Sequence, residues 1–185
     1  FAAHIFASRM ADAEAEHRAV KWSERALTSL QWGKPTFDQA ELTPADKARL
    51  YDLLLASDIY RFILYRADGT AFWSSKLSKV GSTAEGESFP PDVLAGRVHV
   101  QAGTRKADDI DGLLWRKGNL GLDPDSARSV ISVSVPVLLS DRFVGVIETD
   151  VDATDIIAFY ARQARIAAVA LGGAFGLIFL VMTAM

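Results

Sequence analysis

Between residues 129 and 156 apolar and polar positions alternate. Ile131, Val133, Val135 and Val137 fall on one side of an extended chain and Ser132 and Ser134 on the other, the period-two pattern of a half-buried strand. After a polar turn near Asp141-Arg142, Phe143, Gly145 and Ile147 oppose Val144, Val146 and Glu148, which predicts the partner strand of a hairpin. A helix is expected from Ala153. Residues 166 to 185 then carry no ionisable side chain. About twenty helical residues at ~1.5 Å each match a hydrocarbon layer of about 30 Å, so this run predicts a membrane span. A buried core helix would keep a polar face, and here only Thr183 is polar. Ala168, Gly172 and Gly176 recur four apart, a spacing that lets two membrane helices approach closely, although Gly and Ala are also common in such helices.

Residues 1 to about 31 read as one long helix with no Pro or Gly. Phe6, Met10, Ala13, His17, Val20 and Leu27 recur at steps of three and four, with Glu24 in the remaining seam position. A period of about 3.5 suits pairing of two copies, and the same face could instead pack on the chain's own sheet. The apolar opening FAAHIFA is compatible with the tail of a preceding membrane helix. Thr43, Pro44 and Asp46 mark a second helix through a capping box with Pro in the first turn, and Ala48, Tyr51, Leu54 and Leu55 give it an apolar face.

Two β-rich runs flank Ala67-Asp68-Gly69-Thr70, a strong hairpin signal. Tyr60, Phe62 and Leu64 are expected on one face, Arg61, Ile63 and Tyr65 on the other. Residues 76 to 92 read as loop, followed by a short helix at Asp92–Ala95, a strand near Arg97–Ala102 and another at Gly112–Lys117. Helices leading pairs of neighbouring strands predict an α+β fold with an antiparallel sheet.

Composition narrows the function. Half the residues are hydrophobic, much of the excess lying in the last twenty, and the net charge of −3 lies wholly before residue 166. No basic stripe interleaved with aromatics points to nucleic acid. With no cysteine, disulfides, thiol catalysis and Cys-ligated zinc are excluded. The chain opens at Phe1 and stops within an apolar run, so it is expected to be a piece of a longer protein.

Chemical motifs are weak. His4, His17 and His99 are far apart without metal-ligand spacing. Asp108-Asp109-Ile110-Asp111-Gly112 resembles the start of a calcium loop, but the twelfth position, counting Asp109 as the first, is Leu120 rather than Glu. Gly81 and Gly86 have Walker spacing, yet Glu87-Ser88 replaces the required Lys-Ser/Thr. No G-x-S-x-G elbow is present. No cofactor is expected, and the chain itself is not expected to be an enzyme.

Two segments carry a family resemblance. FILYRADGTAFWSS resembles the first hairpin of Cache (PDC) sensor domains, extracytoplasmic relatives of PAS domains, and VSVPVLLSDRFVGVIETDVDATDI resembles their closing hairpin. The long first helix and the span just after the fold agree with the single-Cache form. The resemblance implies a PAS-like antiparallel sheet, arranged as a membrane-proximal dimerising helix over 1–35, a sensor core over 36–157 and an exit and transmembrane helix over 158–185. It further implies a periplasmic ligand-sensing module held in the bacterial inner membrane. The output would be a histidine kinase, a cyclic-di-GMP cyclase or phosphodiesterase, or a chemoreceptor.

On such a sheet the purer apolar rows would face the helices and the more polar rows a cavity. Tyr65, Trp73, His99, Trp115, Arg116, Ser132, Ser134 and Glu148 are the candidate ligand contacts, each also readable as a core aromatic or a solvated surface group. Arg116 suits a carboxylate, so a carboxylate or amine is the expected ligand class. Asp150 and Asp152 suit an amine, but their place just before Ala153 favours a helix cap. A non-sensing dimerisation spacer and a membrane-anchored hydrolase are the competing functions. Arg162 and Arg165 precede the span, and the positive-inside tendency would put that side in the cytoplasm unless more basic residues follow Met185.

Overall fold

The computed structural model describes residues 2–30, 37, 42–84, 88–106, 110 and 125–184. Helix α1 (Ala2–Ser29) is followed by α2 (Pro44–Leu55), then strands β1 (Ile59–Arg66) and β2 (Ala71–Ser74). After a short 3-10 turn at Leu77–Lys79 come α3 (Pro91–Leu94), β3 (His99–Lys106), β4 (Ala127–Leu139), β5 (Arg142–Asp152) and α4 (Thr154–Ala184). The five strands form one antiparallel sheet in the order β2-β1-β5-β4-β3. The fold is α+β with a PAS-like sheet. The strand expected at Gly112–Lys117 lies outside the described residues.

The helical layer covers one face of the sheet. Phe62 and Leu64 of β1, Ile131 and Val133 of β4 and Ile147 of β5 pack there against Trp22 of α1 and Leu50 and Leu54 of α2. Each such buried side chain contributes about 1.5–3 kcal/mol of transfer free energy. The predicted capping box opens α2: the Asp46 amide donates to Thr43 Oγ1 at 3.1 Å and the Thr43 amide to Asp46 Oδ2 at 3.3 Å. Its buried stripe runs through Leu50 and Leu54, while Ala48 and Leu55 are exposed. At 100° per residue those two lie roughly 140–160° around the helix from Leu50, too far to reach the core.

The inward stripe of α1 is Ala7, Ala11, Ala15, Ala19, Trp22 and Ala26, all buried. Small side chains four apart let α4 lie close along α1. Of the predicted seam, Phe6, Met10, Ala13 and His17 are exposed, while Val20 and Leu27 are half-buried, with Leu27 against the core. Most of that face therefore does not pack on the chain's own sheet.

Two bulges change the predicted alternation. Ile59 pairs with Val151 and Arg61 with Asp150, leaving Tyr60 as an extra residue. Tyr60 consequently packs with Val130 and Ile110 rather than beside Phe62 and Leu64. Val137 pairs with Gly145 and Leu138 with Phe143, so Val144 is extra. Phe143 joins Val146 on the face away from the helices, and Val144 joins Ile147 beneath them. The tight turn lies at Ser140 and Asp141, both with positive φ (50° and 62°), one residue before the expected position.

α4 continues without interruption from the end of β5. Among its described residues, Ile156, Ile157, Tyr160, Ala161 and Ala164 are half-buried, and Arg165–Gly176 and Val181–Thr183 are exposed. It is the one described helix long and apolar enough to cross a membrane. A Cβ added at Gly172 or Gly176 would meet nothing within 4 Å, so both positions of the small-residue motif are open.

Candidate functional site

The open face of the sheet carries two polar rows fixed by strand register. Arg61, Asp150, Ser132 and Gln101 stand in line across β1, β5, β4 and β3. Next to them Ile63, Glu148, Ser134 and His99 form the second row. The alternation that sends valines to the helices therefore aligns these polar groups on the other side.

A cavity of about 270 Å³ lies over the outer part of these rows. His99, Gln101 and Arg105 of β3, Val130, Ser132 and Ser134 of β4, and Glu148 of β5 line it, and Ala84, Phe89 and Pro90 close one side. Phe89 is held edge-on between Tyr65 and Phe143, each ring centroid 5.8 Å from its own. That cluster, with Val93 of α3, forms an apolar wall beside the polar rows.

Beside the cavity, on the same face of the sheet, lies a buried charge network. The Arg61 guanidinium pairs with the Asp150 carboxylate and lies 3.8 Å from Glu148 Oε1. Ser132 Oγ donates to Asp150 Oδ1 at 2.5 Å. Burial alone would lower the Arg61 pKa, but the Asp150 and Glu148 carboxylates outweigh it and hold it above its ordinary value. The Tyr60 hydroxyl is buried with no hydrogen-bond partner among the described residues. Burial first, then the Asp150 charge, push its pKa far above the usual tyrosine value. Ser132 and Glu148 thus belong both to the cavity lining and to this network, and a ligand touching either would act on buried charge.

At the far end of β5 the sheet is tied to α4. Arg128 Nη2 donates to Asp152 Oδ2 at 2.7 Å, the Thr154 amide to Asp152 Oδ1 at 3.1 Å, and the Ser129 amide to Thr154 Oγ1 at 2.9 Å. Burial opposes ionisation of Asp152, but the bonds from Arg128 and Thr154 hold its pKa below the ordinary carboxylate value. Asp152 is therefore the capping carboxylate. Asp150, expected as a cap, faces Arg61 and Ser132, because successive residues of β5 are two apart on one face and only Asp152 reaches the helix start.

Of the predicted ligand contacts, His99, Ser132, Ser134 and Glu148 line the cavity. Tyr65 shares their face of the sheet but belongs to the apolar cluster. Trp73 stands opposite Leu64 in the register and packs on the helical side under Lys47 Nζ, 4.3 Å from the ring centre. The structure does not bring it to the cavity. Trp115 and Arg116 lie outside the described residues. Sequence reasoning missed Gln101, Arg105 and the Tyr60–Arg61–Asp150 group. The available signal was an arginine inside an apolar strand, together with carboxylates at 148, 150 and 152 on alternate residues of another.

No family model matches the chain, and no curated protein matches it. Among solved structures it is similar to the sensor domain of the histidine kinase DctB of V. cholerae, at 17% identity over 88% of this chain and 54% of that one, with a TM-score of 0.45. It is also similar to the ligand-binding domain of the Pseudomonas aeruginosa PAO1 amino acid chemoreceptor PctC in complex with GABA, at 16% identity over 82% and 65% of the two chains and a TM-score of 0.32. The periplasmic sensory domain of the Campylobacter jejuni chemoreceptor Tlp1 aligns at 12% identity over 84% and 62%, with a TM-score of 0.37. The chain spans about half to two thirds of the length of these structures.

Proposed function

We propose that this chain is the extracytoplasmic ligand-sensing domain of a bacterial transmembrane receptor, held in the inner membrane by α4 and working as a dimer through the exposed face of α1. The observation that carries the reading is connectivity. Glu148 lines the cavity, and the same strand runs through Asp150 and Asp152 into the helix that becomes the apolar run. Ligand contact at Ser132 or Glu148 would bias the register of β5 and hence the position of α4. A ligand shifts such an equilibrium only by its differential affinity for the two arrangements. The cytoplasmic output would be a histidine kinase, a cyclic-di-GMP enzyme or a chemoreceptor, and the chain itself would catalyse nothing.

The cavity suits a small polar molecule bearing a carboxylate, an amine or both. Arg105 offers a cation at one end and Glu148 an anion at the other. Thermal shift of the protein against small acids, amines and amino acids tests this. A ligand at a hundred times its dissociation constant stabilises by about 2.7 kcal/mol. Glu148→Gln and Ser132→Ala should weaken the same ligand without lowering the unliganded melting temperature by more than a few degrees. No shift with any compound would favour a dimerisation spacer over a sensor.

A further inference from the structure

We infer that the turn of α4 just outside the apolar run is a binding surface for anionic phospholipid headgroups, with the Arg162 and Arg165 guanidinium groups as its ligands. Both side chains are exposed, and neither has a partner among the described residues. They are three apart and therefore neighbours on the helix surface. They stand off the half-buried stripe of Ile157, Tyr160, Ala161 and Ala164. The nearest acid on α4 is Asp155, about two turns before Arg162, out of reach for an intrahelical pair.

Depth decides the partner. The uncharged run begins at Ile166, so at ~1.5 Å per residue the two arginine backbones lie about 1.5 and 6 Å outside it. A bilayer of about 40–45 Å with a hydrocarbon core of about 30 Å leaves roughly 5–8 Å of headgroup layer on each side, which is where both guanidinium groups fall. A guanidinium fork matches phosphate oxygens with paired hydrogen bonds. Phe159, 56% exposed and edge-on to Tyr160 at 5.4 Å, places an aromatic pair just above them, as at other membrane interfaces. Arg162 and Arg165 thus anchor the sensor side of the span to lipid phosphate, which accounts for basic residues there without reversing the chain's orientation. The inference rests on the reading that α4 spans the bilayer.

The test is reconstitution of the chain in nanodiscs of equal phosphatidylglycerol and phosphatidylcholine, with retained lipid identified by native mass spectrometry. Phosphatidylglycerol should be enriched. Arg162→Gln or Arg165→Gln should each lower that preference about fivefold, and the double variant roughly thirtyfold, while the double lysine variant, which keeps the charge but not the paired hydrogen bonds, should fall between the unchanged protein and the double Gln variant. Equal retention of both lipids, or a preference that survives the double Gln variant, would overturn the inference and leave the span intact. Loss of the preference to inorganic phosphate but not to chloride of equal ionic strength would reassign the site to free phosphate and overturn it too. Failure of the chain to co-elute with nanodiscs would overturn the membrane reading beneath it, and this one with it.

Discussion

Arg61 on β1 and Asp150 on β5 stand opposite each other in the sheet and form an ion pair in which the residues are 4% and 1% exposed. A pair so withdrawn from water is costly to break from one side. Removing Asp150 strands a buried guanidinium, and Asp150→Ala should destabilise the fold by about 3–5 kcal/mol. The double change Arg61→Met with Asp150→Leu removes both charges and should recover most of that loss. Urea unfolding of the three proteins measures it. A single variant costing less than about 1 kcal/mol would show that the pair does not hold the sheet together.

Asp152 gives stability a definite dependence on acid. Its carboxylate is bonded by Arg128 and Thr154, and its folded pKa lies below the unfolded value of about 3.9. A depressed folded pKa contributes stability that is present above the unfolded value and lost as pH falls through the folded one. Stability should therefore drop below about pH 4, and Asp152→Asn should remove part of that slope. Unfolding free energies across pH 2.5–6 for both proteins would expose an unchanged slope if the joint were not built this way.

Gly145 sits where the sheet admits no side chain. A Cβ there would stand 2.2 Å from the Tyr65 carbonyl oxygen and 2.8 Å from the Phe37 ring. Its φ of 159° is also one that L side chains rarely adopt, so contact and conformation both resist a side chain there. Gly145→Ala should cost at least about 1–3 kcal/mol by forcing β5 away from β1. At Gly103 nothing lies within 4 Å of the added atom, and Gly103→Ala should stay within about 0.5 kcal/mol. Similar melting temperatures for the two variants would contradict this difference.

The exposed face of α1 predicts where two copies meet. The protein has no cysteine, so single cysteines report without background. Met10→Cys and His17→Cys should form crosslinked dimers in membranes, and Glu16→Cys, about a quarter turn off the seam, should form few. Ligand should change the ratio between seam positions if α1 and α4 move together. Equal crosslinking at all three sites would remove the seam.

Local chemistry made much of the fold legible. Thr43, Pro44 and Asp46 announced α2 because a capping box is satisfied within four residues. Asp68-Gly69 announced the first hairpin: Gly69 takes φ 85°, and the Thr70 amide donates to Asp68 Oδ1 at 2.8 Å. The valines and serines of β4 sorted correctly because strand alternation is a property of the chain itself. The apolar run of α4 needed only its length and its lack of charge.

Tertiary structure decided the rest. The bulge at Tyr60 arises where β1 comes into register with the sequence-distant β5, and that at Val144 beside the β4–β5 turn, and each reverses a face that alternation alone assigns. Asp150 and Asp152 look equivalent along the chain, yet one meets Arg61 from another strand and the other meets the start of α4. Trp73 reads as a pocket aromatic until its pairing with Leu64 turns it towards the helices. By itself the sequence determined where most of the described helices, strands and turns lie, and that the last helix is long and apolar enough to cross a membrane, because those depend on neighbours a few residues away. The cavity and its buried charges depend on which strands lie side by side, and only packing settles that.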